Sequence, residues 1–312
     1  MSAMDDRFAV PDRAPPPLGV HLRGRYRLLE IVGRGGTSTV FRAEDAVRLR
    51  ARSPRPQVAV KVVDLVGEYQ SDAVELLHRE ARRMQGLAHP NIVKVFDSDT
   101  DGRYHFIIME LLSGATLAQI LRGPATGGLP LDQAMGLVRR IGSALAFAHA
   151  RDVVHADLKP SNVFITRNRS VKLLDFGLAH AIRPAALAEV DEDATILYIE
   201  RLGGLTPQFA SIEMLTGGAP TKACDIYAFG VLTYLMLCGR HPYRRKTAIE
   251  AHREGLEPIR PPQLDKARWR TLRAALEVDS ARRIQSIEAF VETFNEPSWF
   301  RRLIRRSGVA AL

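Results

Sequence analysis

The spacing of apolar residues changes character once along this chain. Between Arg25 and Met109 apolar residues fall into runs of strand length: Arg25–Val32, Thr39–Asp45, Val58–Asp64, Val93–Asp97 and His105–Met109. Glycine, proline and aspartate punctuate them, as they do turns between strands. One stretch breaks the series. Over Ser71–Gln85, Val74, Leu77, Ala81 and Met84 recur at helical spacing and share a face. Beyond it the pattern is mainly helical, with a long amphipathic helix over Leu131–Arg151, a buried one over Asp225–Cys238, and shorter ones over Lys266–Ala275 and Ser286–Phe294. The expected class is α+β: a small antiparallel sheet lobe with one helix, plus a larger, mainly helical lobe, with a cleft between. The segments divide as 1–24, polar, proline-rich and expected to be disordered; 25–109, the sheet lobe; 110–294, the helical lobe, joined near 110–112; and 295–312, a basic tail.

Composition adds limits. At 312 residues and 46% hydrophobic, the chain can fill two lobes. No run of eighteen apolar residues predicts a membrane span, and Met1–Val20 does not have the form of a secretory signal. Cys224 and Cys238 flank one predicted helix, about 21 Å apart at its rise per residue, too far to bridge. A reducing, cytoplasmic compartment is expected. The net charge of +9 invites a nucleic-acid reading, but it is dispersed and has no motif behind it, so no nucleic-acid partner is expected. Arginines cluster at Arg48, Arg50, Arg52 and Arg55, and again at Arg301, Arg302, Arg305 and Arg306 beside Trp299 and Phe300. The second group reads as a solvated helix end, with weak contact to the anionic inner face of a membrane as the alternative. His78, His89, His105, His149 and His180 read as surface or packing residues.

The chemistry concentrates in His155-Ala156-Asp157-Leu158-Lys159-Pro160-Ser161-Asn162, followed by Asp175-Phe176-Gly177. One segment offers a base, a phosphate-directed lysine, a metal-binding amide and a metal-binding carboxylate. That is equipment for phosphoryl transfer, which works by positioning and charge neutralisation. Upstream, Val32-Gly33-Arg34-Gly35-Gly36-Thr37-Ser38-Thr39-Val40 is a glycine-rich turn whose backbone N–H groups can approach phosphate oxygens. Alone it is also an ordinary hairpin. Val58-Ala59-Val60-Lys61 is an apolar strand ending in a lysine, and Glu80 lies beside the apolar face of the Ser71 helix.

In this order and at these separations, the series resembles the protein kinases, from about Tyr26 to about Phe294. Leu205-Thr206-Pro207-Gln208-Phe209-Ala210-Ser211-Ile212-Glu213 resembles the substrate-docking loop. Asp225-Ile226-Tyr227-Ala228-Phe229-Gly230 resembles the start of the long buried helix. Asp279-Ser280-Ala281-Arg282 resembles the segment whose arginine pairs with the docking-loop glutamate, here Glu213.

The resemblance implies that adenine sits between Val32, Val40 and Ala59 above and Phe164 below, with Met109 behind and the backbone of Glu110–Leu112 as hinge. Lys61 would meet the α- and β-phosphates, held by Glu80. Asp175 and Asn162 would bind Mg²⁺, with Mn²⁺ an admissible substitute; Asp157 would take the proton of the acceptor hydroxyl; Lys159 would neutralise the transferring phosphoryl. Lys159 and the Thr206-Pro207 pair resemble Ser/Thr rather than tyrosine kinases, so protein Ser/Thr hydroxyls are the expected substrates, and self-association for autophosphorylation fits that class.

Three departures stand out: Ser38 at the third glycine, Ser211-Ile212-Glu213 for Ala-Pro-Glu, and Ala156 where many kinases carry a phosphate-gripping arginine. Without that arginine, ordering of Leu178–Leu205 cannot rely on the contact, and activity is expected to be constitutive or regulated elsewhere than Thr195. The Leu87–Val93 and Leu205–Met214 segments look like bacterial kinases of the eukaryotic-like Ser/Thr group, especially proteobacterial ones. A pseudokinase acting as a nucleotide-binding or scaffold module is the rival reading, and a small-molecule phosphotransferase the more distant one.

Overall fold

The computed structural model describes residues 15–35, 38–63, 70–123, 127–176 and 206–295. Six strands form one antiparallel sheet: β1 (His21–Leu22), β2 (Tyr26–Arg34), β3 (Ser38–Asp45), β4 (Gln57–Val63), β5 (Val95–Asp101) and β6 (Tyr104–Met109), in the order β1-β2-β3-β4-β6-β5. In β3 buried and half-buried residues alternate, as expected of a strand with one covered face. The central β4 is buried from Val58 to Val63, because both its faces are covered. On one side Leu22, Leu28, Phe41, Val58, Val60, Val62, Phe106 and Ile108 form a separate core. On the other, Ala59, Val63, Ile107 and Met109 meet Leu77, Ala81 and Met84 of helix α2 (Gln70–Gln85).

One expectation changes here. The pattern predicts disorder over 1–24, yet in its described part, from residue 15 on, β1 pairs with β2, Gly19 donates to the Leu28 carbonyl, and Leu22 is buried in the outer core. Apolar Leu22 in a polar surrounding is the anchor. The segment between β3 and β4, which holds Arg48, Arg50, Arg52 and Arg55, contains a short helix, α1 (Ala46–Arg50), started by Asp45, whose carboxylate accepts from Val47 and Arg48 N–H groups.

The second lobe is helical, with a small three-stranded sheet facing the first lobe. Its strands β7 (Gly114–Thr116), β8 (Val163–Thr166) and β9 (Val171–Leu173) are antiparallel neighbours. Helix α3 (Leu117–Leu121) follows β7, and α4 (Leu131–His149) buries Ala134, Val138, Ile141, Leu145 and Ala148 along one stripe. Helix α5 (Ile212–Leu215) precedes α6 (Lys222–Cys238), which is buried on nearly every side and contains both free cysteines. Helices α7 (Ala248–Arg253), α8 (Lys266–Ala275) and α9 (Ile287–Asn295) follow among the described residues. α9 packs on α4 at Gly142, where a Cβ would lie 2.2 Å from Val291 Cγ2. Only glycine permits that approach. The lobes are stitched where Val93 N–H donates to Leu173 O and Leu173 N–H to Asn91 O, which fixes β9, and thus Asp175 just beyond it, to the first lobe.

Candidate active site

Strand register brings the upper side of the cleft together. Gly33 pairs with Val40, Val40 with Lys61, and Lys61 with Ile107, so the glycine turn and the lysine stand at one level. Ala59 faces Met109 across the same pair, β4 and β6. Val32 is exposed, Val40 half-buried, and Thr39 buried. Arg34, Gly35 and Ser38 flank the turn, whose Gly35 N–H donates to Ser38 O; Gly36 and Thr37 lie outside the described residues. At the hinge, Glu110 N–H donates to Lys94 O. Its side chain, which sequence reasoning overlooked, accepts from Lys94 N–H and from Lys172 Nζ at 2.6 Å. Leu112 and Phe164 are half-buried beyond it, Phe164 on β8.

The lower side is a loop held in place by one carboxylate. Asp225, at the start of α6, accepts from His155 N–H (2.7 Å), Ala156 N–H (2.9 Å) and His149 Nε2 (2.8 Å). His149, expected to be a packing residue, is therefore also a hydrogen-bonding anchor. The two loop N–H groups converge because Ala156 adopts a left-handed backbone, φ 64°, which a small side chain tolerates better than a bulky one. Ala156 is buried and presents only a methyl group.

Asp157 follows. Lys159 Nζ sits 2.6 Å from its Oδ2, and Asn162 Nδ2 donates to both its carbonyl (2.8 Å) and Oδ2 (3.0 Å). Burial pushes the Asp157 carboxyl above the usual carboxylate range, with Lys159 opposing. His155 is buried against Phe176, ring centroids 4.5 Å apart, and burial holds its imidazole neutral. Asp175, in a left-handed conformation at φ 59°, lies 2.6 Å from Lys61 Nζ. Burial pushes its carboxyl up, but Lys61 outweighs that and leaves it below the ordinary range.

Glu80 is elsewhere. The expected Lys61–Glu80 pair is replaced: Glu80 Oε1 bonds Arg83 Nη1 at 2.8 Å, with Arg79 Nε at 3.6 Å, while Lys61 takes Asp175. Arg83 lies one helical turn on, a contact available in any orientation of the helix.

A second correction concerns the docking loop. Glu213 pairs with Arg283, not Arg282: Arg283 Nη2 is 3.1 Å from Glu213 Oε1, and its guanidinium also donates to the Glu277, Ala223 and Val278 carbonyls. Arg282 is exposed. The turn formed by Arg283 N–H on Asp279 O points the second arginine inward. Thr206 shares a small cavity with Asp157, Phe209 and Ala210, and Pro207 is buried behind it. Gly177, Thr195 and the rest of Leu178–Leu205, and the tail arginines, lie outside the described residues.

The donor set suits a hard divalent cation shared with phosphate oxygens. Asp175 offers a carboxylate held ionised, and Asn162 spends its Nδ2 on Asp157, leaving its Oδ1 as the acceptor on the other side of the amide.

The sequence model of the protein kinase domain family matches residues 26–300. This chain belongs to the protein kinase family. Among its relatives, PrkC of Bacillus subtilis, a serine/threonine-protein kinase, is 32% identical over 232 residues, which cover 74% of this chain and 33% of PrkC. The serine/threonine-protein kinase PknA of Mycobacterium tuberculosis is 34% identical over 254 residues, covering 79% of this chain and 54% of PknA. The chain thus spans between a third and about half of these relatives. A crystal structure of the M. tuberculosis PknI kinase domain superposes with a TM-score of 0.64 at 22% identity, over 90% of this chain and 99% of that one. The architecture is the protein kinase fold. Members of the family use ATP and a divalent cation. Among the described residues of this kinase-family chain, no helix is long and apolar enough to cross a membrane.

Proposed function

We propose that this chain is the catalytic domain of an ATP-dependent Ser/Thr protein kinase, using Mg²⁺ and acting on protein hydroxyls in the cytoplasm. One observation supports it above the rest: Asp157, Lys159 and Asn162 are locked together at the loop that Asp225 holds, and Asp175 meets Lys61 beside it. In this reading the acceptor hydroxyl oxygen attacks the γ-phosphorus, its proton passes to Asp157, and the bond to the β-phosphate oxygen breaks to release ADP. Lys159 has two tasks. It opposes the burial that raises the Asp157 carboxyl, and it neutralises the phosphoryl in transit. Asn162 and Asp175 would hold the magnesium, which supplies charge neutralisation across the phosphates. Lys61 would exchange Asp175 for the α- and β-phosphates, and Glu80 would leave Arg83 to steady it.

Lys159, the Thr206-Pro207 pair and the names of the relatives support Ser/Thr over tyrosine. The cytoplasmic assignment rests on the free Cys224 and Cys238. Self-association during autophosphorylation, and contact of the 295–312 tail with anionic membrane, are parts of the proposal with sequence support alone.

The test is labelling with Mg²⁺ and γ-labelled ATP, wild type against Asp157→Asn and Lys61→Met, with sites mapped by mass spectrometry. Label on Ser and Thr that both variants lose is the expected result. Predominant phosphotyrosine would refute the substrate class. Retained nucleotide binding without label, even on an added protein substrate, would refute the activity and leave a binding module.

A further inference from the structure

The loop leaving α6 contains an arrangement that phosphoryl transfer does not use. His241 is buried there, and its Nε2 lies 2.8 Å from the Gln208 carbonyl of the docking loop. Its Nδ1 accepts the backbone N–H groups of Tyr243 and Arg245, both at 3.2 Å. An imidazole that accepts at Nδ1 must carry its proton at Nε2, so it donates to Gln208. Burial pushes its pKa down and favours this neutral form. Its ring also meets Phe209 edge-on, centroids 5.8 Å apart. A single side chain therefore fixes the Arg240–Lys246 loop against the docking loop.

What the loop displays is charge. Arg244 and Arg245 both adopt left-handed backbone conformations, φ 54° and 69°, which residues with a Cβ enter at a cost. Both side chains, and that of Arg240, are exposed. Lys246 is paired with Glu254. Arg240, Arg244 and Arg245 have no carboxylate partner among the described residues. Asp157, Thr206 and Phe209 line one small cavity, and His241 meets the Phe209 ring, so the loop that displays these arginines is anchored one ring away from the cavity of the base.

We propose that Arg244 and Arg245, with Arg240 on the same loop, select protein substrates that carry aspartate or glutamate within a few residues of the phosphoacceptor, on the side that passes the docking loop. The assignment rests on the Ser/Thr kinase reading. An extended polypeptide with its hydroxyl at Asp157 and its backbone along Thr206–Ala210 brings its next residues within reach of an arginine side chain. Exposed ion pairs contribute modestly one at a time, and two or three guanidiniums without a carboxylate partner among the described residues, on one anchored loop, suffice to bias substrate choice.

The experiment compares peptides with one central serine or threonine, scanning glutamate against glutamine at each of the three positions before and after it, with the full chain, Mg²⁺ and labelled ATP. The expected result is kcat/KM about tenfold higher for glutamate at adjacent positions on one side only, falling toward the glutamine value as salt rises. In Arg244→Gln/Arg245→Gln the glutamate-to-glutamine ratio should drop to near one. The His241 bonds use backbone N–H groups and remain available, and the salt series on wild type tests the idea without any variant. Equal labelling of both peptides at every position, a ratio unchanged in the variant, or equal loss on both peptides would overturn the proposal. Labelling of no peptide and no autophosphorylation would instead overturn the kinase reading on which it rests.

Discussion

Replacing Arg283 by alanine should destabilise this protein far more than replacing its neighbour Arg282. The Arg283 guanidinium is fully buried and makes four hydrogen bonds: Nε to Glu277 O at 2.9 Å, Nη1 to Ala223 O at 2.8 Å, and Nη2 to Val278 O at 2.9 Å and Glu213 Oε1 at 3.1 Å. It also lies 5.3 Å over the Tyr227 ring. Truncation would strand three carbonyls and one carboxylate and leave a void among α5, α6 and the segment before α9. Removing one member of a buried ion pair costs about 3–5 kcal/mol. At roughly 2–4 °C per kcal/mol for a large domain, Tm should fall by about 6–20 °C. Arg282 is exposed, and its truncation should stay within about 0.5 kcal/mol. Glu213→Gln keeps an acceptor for Nη2 and should cost about 1 kcal/mol. Burial pushes the Glu213 carboxyl up, but the polar groups around it, Arg283 among them, hold it below its ordinary value. Its contribution is therefore present above the unfolded-state pKa, about 4.3. It is lost as pH falls through the lower folded value, so the gap between wild type and Glu213→Gln should close on acidification. Urea and thermal unfolding measure all of this. Equal melting of Arg282→Ala and Arg283→Ala, or a larger loss in the former, would falsify the assignment.

Three further outcomes are expected. Arg79→Ala/Arg83→Ala should raise kcat/KM by up to about fivefold, because half-exposed pairs to Glu80 together contribute no more than about 1 kcal/mol; unchanged or lower activity would show that they do not hold Glu80 away. Lys159→Met should move the acid limb of the kcat/KM profile to higher pH, since Lys159 opposes the burial that raises Asp157; a limb that stays put, beside a lower plateau, would remove Asp157 as the titrating base. Gly142→Ala should cost about 1–3 kcal/mol through overlap with Val291, and Val291→Ala should recover part of it in a double-mutant cycle; additive losses would place the strain elsewhere.

Most of this architecture was legible because it depends on local pattern. Leu77, Ala81 and Met84 share the buried face of α2, and β3 and β4 begin within a residue or so of the expected points. Asp157, Lys159, Asn162 and Asp175 converge because their separations along the loop leave few alternatives. The misreadings were choices between near-equal partners. Arg282 and Arg283 are adjacent and identical, and only a turn closed by backbone bonds to Asp279 and Ser280 decides which faces inward. Glu80 can satisfy Arg83 on its own helix or Lys61 on a strand, a contest decided by where α2 sits rather than by composition. The pairing of β1 needed the outer core to be known first.

The Lys61–Asp175 contact means that two opposite charges of the cleft neutralise each other. Each residue is the other's counter-ion, so a change at one reaches the second. Lys61→Met would strip Asp175 of the cation holding its carboxyl low, and burial would then favour the protonated acid, a poor metal ligand. Asp175→Asn would leave Lys61 with no carboxylate at that distance, free for anions other than the nucleotide. Loss of function at either position is thus a composite of missing contact and altered partner. Nucleotide affinities of the two single variants and the double variant should be strongly non-additive.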